Sequence, residues 1–385
     1  VADAWRRFTD RLAALGDLIE GDGYPDDPLG RAEGQRYLAR LTALALQQAT
    51  DFDDPSFPVL YRLNDDVTKW AGPNVDNVYL AAAVRAPHRY RLTGDVSRSR
   101  GFILQTLHGW WGQDDFRVCD DRSSADFELA PDGTVEVVLG GPEVHGNWMP
   151  LAADADRLFV REYLTDWHDD RRCALVLERL DPAPVVPAVL DQDAVAVMLD
   201  RAASWLELNV PFWRDLEAGM RGFLEPNTFG LPYRTPLGGS DIWYGNGRVV
   251  LEPDQALVVE VAEPVARYWS MQLYSPGWYE SLDFRNRQTS LNAAQAHVDG
   301  DGVVRYVLAE RDPGTPNWLD LAGHREVLVH YRAIWCADAP RAVPHLVEAD
   351  DVRAVLPLDH PVVTPEQRRL ALDRRRADVL ARLQR

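Results

Sequence analysis

Apolar side chains recur at helical spacing near the start of the chain. Trp5, Phe8, Leu12, Leu15 and Leu18 form one stripe, and Tyr37, Leu38, Leu41, Leu44 and Leu46 form a second within Ala32 to Ala49. Between Asn77 and Leu180 the period shortens. "RYRLTG", "GFILQTL", "TVEVVLG", "RLFVREYL" and "CALVLERL" are brief β-rich runs punctuated by Gly, Asp and Pro, which predicts strands. Asp191 to Phe223 is helical again, through Val195, Met198, Leu199, Ala202, Trp205 and Leu206. Strands return in "GRVVLE", "ALVVEVA", "RYWSMQLY", "VVRYVLAE" and "EVLVHYRAIW". The tail "PEQRRLALDRRRADVLARLQR" predicts a helix capped by Thr364 with Pro365 in its first turn, packed through Leu370, Leu372, Val379 and Leu380.

The two strand-rich stretches echo each other. "HGNWMPLAADADRLFVREYLTDW" (145–167) follows an Asp132-Gly133 turn, and "TPNWLDLAGHREVLVHYRAIW" (315–335) follows Asp301-Gly302. Both place Asn-Trp after the Asp-Gly turn and an Arg before a Trp. "SRGFILQTLHGWWGQDD" is matched loosely by "ARYWSMQLYSPGWYESLD". The reading is a gene duplication. It predicts a mostly β, α+β fold of two antiparallel sandwich-like units, with helices at both termini and between the units. The divisions are N-terminal helices over 1–50, a first β unit over 74–180, a helical connector over 191–225, a second β unit over 241–347 and a C-terminal helix over 364–385.

Charge narrows the partners. Sixty acids against 41 bases give −19 over 385 residues, which repels nucleic acid and anionic membranes. A small molecule is the expected ligand, and the sequence leaves the oligomeric state open. No apolar run is long enough to span a bilayer, and "VADAWRRF" does not read as a signal peptide, so the expected location is cytoplasmic. Cys119, Cys173 and Cys336 are too sparse for a disulfide scaffold. Nucleotide-binding glycine motifs and the GxSxG elbow are absent. Local ligand spacings such as HxH or HxxxH are absent too, so neither a metal nor another cofactor is expected.

Three segments carry a family resemblance: "GPNVDNVY" (72–79), "RYWSMQLY" (267–274) and "DPGTPNWLDLAGH" (312–324). The chain resembles the paired families called domain of unknown function 1254 and domain of unknown function 1214, in an actinobacterial-type form. The first segment is similar to the signature of the former, the other two to the latter. The resemblance implies sandwich-like β units with helical additions. It implies site positions and no catalytic roles.

Candidate site residues follow from residue chemistry. Strand alternation puts Phe159, Arg161 and Tyr163 on one face, and Leu328, His330 and Arg332 on another. An arginine inside an apolar strand needs a counter-charge. That is either an internal ion pair, with Asp76 or Asp283, or the anionic group of a substrate. Asp76, His108 and Asp283 are the candidate catalytic acid–base groups. Asn74, Tyr79, Trp110, Tyr244, Tyr274, Arg285 and His324 are candidate binding residues, with Arg161 and Arg332 as charge holders. The Asn147-Trp148 and Asn317-Trp318 turns serve either as cleft walls or as structural turns. Thirteen Trp and 13 Tyr, many beside predicted strand ends, suit an apolar or flat ligand. The expected function is cofactor-independent acid–base catalysis on a small, partly apolar organic molecule of terpenoid, aromatic or polyketide-like type. The alternatives are a non-catalytic small-molecule or carbohydrate binder, and a glycan hydrolase using paired carboxylates.

Overall fold

The computed structural model describes residues 2–182, 186–235 and 237–384; positions 1 and 385 of the predicted terminal helices lie outside the described residues. The first unit is a sandwich. Its larger sheet runs in the order β1 (Tyr61–Asn64), β2 (Asn77–Ala83), β8 (Arg157–Tyr163), β4 (Gly101–His108), β5 (Arg117–Ser123). Its smaller sheet runs β7 (Trp148–Met149), β6 (Thr134–Leu139), β3 (Tyr90–Asp95), β9 (Val176–Arg179).

The second unit repeats this order strand for strand. Its larger sheet is β10 (Thr228–Phe229), β11 (Ile242–Val250), β17 (Glu326–Ile334), β13 (Tyr268–Tyr274), β14 (Ser290–Asn292). Its smaller sheet is β16 (Trp318–Asp320), β15 (Val303–Ala309), β12 (Gln255–Ala262), β18 (Val343–Glu348). The register agrees as well. Tyr79 and Ile103 flank Arg161, as Tyr244 and Ser270 flank Arg332. The first strand of each unit, β1 or β10, precedes the sequence boundary, because each is too short to show a period.

The Asn-Trp turns do the same structural job twice. Asn147 takes the Glu128 amide and donates to the Glu128 carbonyl; Asn317 treats His297 likewise, with both contacts at 2.7 Å. The Trp148 indole donates to Gly140 O and the Trp318 indole to Ala309 O. Each pair thereby pins a short parallel strand to the edge of its smaller sheet.

One face of each larger sheet packs into its own sandwich, through Leu158 and Val160 in the first unit and Val327 and Val329 in the second. Each such side chain contributes roughly 1.5–3 kcal/mol when fully buried. The opposite faces turn toward each other and toward the helices. Ile103 and Tyr163 meet Ile242, Tyr268 and Ile334 at the junction. Helix α1 (Ala2–Ile19), α2 (Pro28–Asp51) and α3 (Gln192–Gly222) close over the remainder. Asp27 caps α2, with Pro28 in its first turn, and Asp191 caps α3. The buried stripe of α3 runs Leu199, Ala202, Leu206, Val210 and Trp213, the spacing of one helical face.

A short helix, α4 (Val352–Val355), leads into α5 (Pro365–Gln384), where Thr364 caps as predicted. The packing of α5 corrects the sequence reading. Leu370 and Leu380 are exposed, while Arg368, Arg375, Val379 and Arg382 are buried. The guanidinium groups lie over rings: Arg368 over Trp318, and Arg375 and Arg382 over Trp167. Aromatic faces and carbonyls of the sheet rim accept cations more readily than leucine, so the basic stripe docks while Leu370 and Leu380 face out and Leu372 is half-buried. Among the described residues, no helix is long and apolar enough to cross a membrane.

Candidate functional site

The facing surfaces of the two larger sheets do not close completely. A cavity of about 250 Å³ remains between them, roofed by Trp213, Leu216 and Met220 of α3. Its walls are aromatic, and among the described residues no carboxylate lines it. Arg161 and Arg332 both line it, each from the middle of the central strand of its sheet.

The surroundings of the two arginines are duplicated. Arg161 donates to Gln105 Oε1, and Gln105 donates in turn to Asp121. Arg332 donates to Gln272 Oε1 at 3.3 Å, and Gln272 donates to Asp76 Oδ2 at 3.1 Å. In both units an amide stands between guanidinium and carboxylate. The ion pair expected with Asp76 or Asp283 is therefore not made. Among the described residues, neither Arg161 nor Arg332 has an ion-pair partner, although both are buried. Arg332 is held further by Tyr274 Oη at 2.6 Å and Gly72 O at 2.7 Å. A buried guanidinium whose charge is solvated only by dipoles costs several kcal/mol unless an anion meets it.

The Gly72 carbonyl is aimed by a strained loop. Ala71 and Tyr279 both take left-handed backbone, with φ of 62° and 53°, an arrangement costing on the order of 1–2 kcal/mol per residue without glycine. Gly72 packs flat on the Tyr279 ring, where a Cβ would stand 2.1 Å from a ring carbon. Tyr279 Oη lies 2.8 Å from His330 Nε2, and the buried Nδ1 of His330 has no hydrogen-bond partner. Burial, then the Arg332 charge, holds the His330 pKa well below the usual histidine range. The imidazole is therefore neutral, and burial also pushes the Tyr279 phenol well up. Asn74 adds a second unsatisfied group. Its Oδ1 accepts from Gln272 and the Asp76 amide and lies 2.9 Å from Tyr268 Oη, while Nδ2 is buried without an acceptor.

Of the sequence candidates, Asn74, Tyr79, Arg161, Tyr244 and Arg332 line this cavity, and Tyr274 stands directly behind Arg332. The others lie elsewhere. Asp76 is sealed between the units, accepting from Trp167, Tyr268, Gln272 and Asn292; burial raises its pKa against the bonds from Tyr268, Asn292 and Trp167. His108 bonds Asp115 and Asp154 O at an outer strand end, and those bonds raise its pKa. Asp283 and Arg285 border a polar cleft with Lys69. Trp110 lies under Arg157 in another cleft. Asn147 and Trp148 sit on a surface depression, Asn317 and Trp318 are spent on the turn and on α5, and His324 faces Glu33 at 3.4 Å. His330, Tyr279, Gln105 and Gln272 were not among the candidates. The alternation in "EVLVHYRAIW" already places His330 beside Arg332; the others had no local signal.

Residues 248–338 match the model of a family described as protein of unknown function, DUF1214. The crystal structure of an uncharacterized protein from Burkholderia cenocepacia is 32% identical, with a TM-score of 0.84 over 91% of this chain and 98% of that one. The chain belongs to this family of proteins of unknown function. The family-model match lies in the second unit, so it does not include the "GPNVDNVY" signature of the first. A Vibrio parahaemolyticus protein of known structure is 12% identical, with a TM-score of 0.47 over 82% of this chain and 97% of that one. No curated protein matches the chain.

Proposed function

We propose that the protein binds a small, partly apolar organic anion in the cavity between its sheets and acts on it by cofactor-independent acid–base chemistry. The supporting observation is the pair of buried guanidinium groups, each backed by an amide instead of a carboxylate, facing an aromatic cavity. A carboxylate, sulfonate or phosphate head would take the charge–charge contacts left open, and its apolar body would lie against Trp111, Phe159 and Trp213. Tyr279 and His330 are the groups for proton transfer. A neutral imidazole next to a cation is a weak base, so its role is to polarise a ligand carbonyl or relay a proton to Tyr279.

The weak basicity of His330 and the carboxylate-free lining also favour a second reading, a binder without turnover. The paired-carboxylate reading is not carried further, since Asp76 and Asp283 do not share a cavity. A thermal-shift and calorimetric screen of aromatic and alicyclic carboxylates, phosphates and their neutral amides tests the proposal. Anions stabilise the wild type, neutral isosteres do not, and Arg161→Met or Arg332→Met removes the effect. Equal binding of the neutral compounds would refute anion recognition. Deuterium exchange into a bound ligand, lost in His330→Phe while binding persists, supports catalysis. Binding without exchange or conversion leaves the binder.

A further inference from the structure

The second unit holds a side-chain cluster that the cavity does not use. His297 and Asp299 lie on the turn leading into β15, and His360 comes from the strap between α4 and α5. One donor atom from each lies within 4.8 Å of the other two. Asp299 Oδ1 is 2.7 Å from His360 Nδ1 and 3.2 Å from His297 Nε2, with the two rings nearly perpendicular. We propose that His297, Asp299 and His360 form a binding site for a divalent transition-metal ion, zinc by the character of its donors.

Two imidazoles and a carboxylate are a familiar zinc set that leaves a fourth position for water. Tetrahedral donors on bonds of about 2.05 Å lie about 3.3 Å apart, so the 2.7 Å contact must open by about 0.6 Å. The surrounding charge welcomes a cation. Asp299, Asp301 and Glu260 all converge on the single guanidinium of Arg305, which holds Asp299 by its other oxygen at 2.8 Å. A ligating carboxylate fixed from behind in this way is the usual supporting arrangement.

The first unit provides an internal control. Its equivalent turn closes with the same backbone bonds, Ala130 N to Thr134 O and Gly133 N to Ala130 O, matching Asp299 N to Val303 O and Gly302 N to Asp299 O. There Glu128 and Ala130 occupy the places of His297 and Asp299. The turn needs neither donor, and both occur only where the strap brings the third.

The test uses full-length protein stripped with EDTA and titrated with Zn²⁺ against a chromophoric chelator. One ion per chain with submicromolar affinity is expected, together with a zinc-dependent rise in melting temperature and visible absorption of the Co²⁺ form typical of four or five ligands. His297→Gln, on a half-exposed ring, weakens binding at least about 100-fold without changing the melting temperature in EDTA. His360→Gln does the same for binding, and Glu128→Gln does not. Absence of binding, binding at several weak sites, or binding that His297→Gln leaves intact would overturn the site and leave a hydrogen-bonded cluster.

Discussion

The two units differ less in backbone than in what each strand face carries. Both have the Asn clamp, the indole staple and an Arg–Gln pair at matching registers, while the carboxylate beyond each Gln, Asp121 or Asp76, comes from the first unit. The second is the more polar around its arginine. His330 stands where the first unit has Phe159, Tyr274 where it has Leu107, and Ser270 where it has Ile103. Conversely, Glu162 is buried in the first unit where the second has Ala333. The first unit thus sets its charge in an apolar wall, and the second places His330 and Tyr274 next to its own. A site between two such copies can grip one end of a ligand from both sides and do chemistry from one.

The sharpest way to break this comparison is to remove the arginines one at a time. Arg161→Met and Arg332→Met should each lower affinity for an anionic ligand by about 2–5 kcal/mol, measured by calorimetry, with the fold retained. Loss in only one variant would mean that only one unit holds the anion. Next comes Glu162, whose pKa burial lifts to about 7, with Arg172 opposing the shift. A carboxyl raised in the folded state stabilises fully below its unfolded value near 4.5 and loses that contribution as pH rises through 7. Glu162→Gln should therefore flatten the stability profile, a difference on the order of 3 kcal/mol at pH 8 by urea unfolding.

The clamps come third. Asn317→Ala, at a fully buried side chain, strands the part-buried amide and carbonyl of His297 and should cost about 2–4 kcal/mol, whereas Asn147→Ala, at an exposed clamp, should cost under about 1 kcal/mol. Smallest is His330→Phe, which copies the first unit. A histidine held neutral in the folded state forfeits stability as pH falls below its unfolded value near 6.5, because only the unfolded chain takes up the proton. The variant should remove about 1.4 kcal/mol per pH unit from the acid-side slope, read from urea midpoints at pH 5.5 and 4.5.

Much of the fold was legible because repetition is visible in composition: Asn-Trp after Asp-Gly, and an arginine alternating with aromatics, each written twice. The same alternation put Arg161 and Arg332 on the correct faces, and both reach the cavity. His108 shows why the rest was obscure. It follows Leu107 in the chain, and the strand register equates Leu107, not His108, with Tyr274. A slip of one residue reverses the face of a strand, so His108 points away while Tyr274 points in. Asp76 was legible as a special residue, but sequence cannot tell a reacting carboxylate from one enclosed by four donors. Gln105 and Gln272 looked ordinary because their importance lies in the partners they separate.

Asp76 belongs to the first unit, yet three of its four donors, Tyr268, Gln272 and Asn292, are supplied by the second. Neither half alone can shelter that charge. Despite its twofold ancestry, the protein should melt as a single body, with one calorimetric peak and no folded half surviving the other.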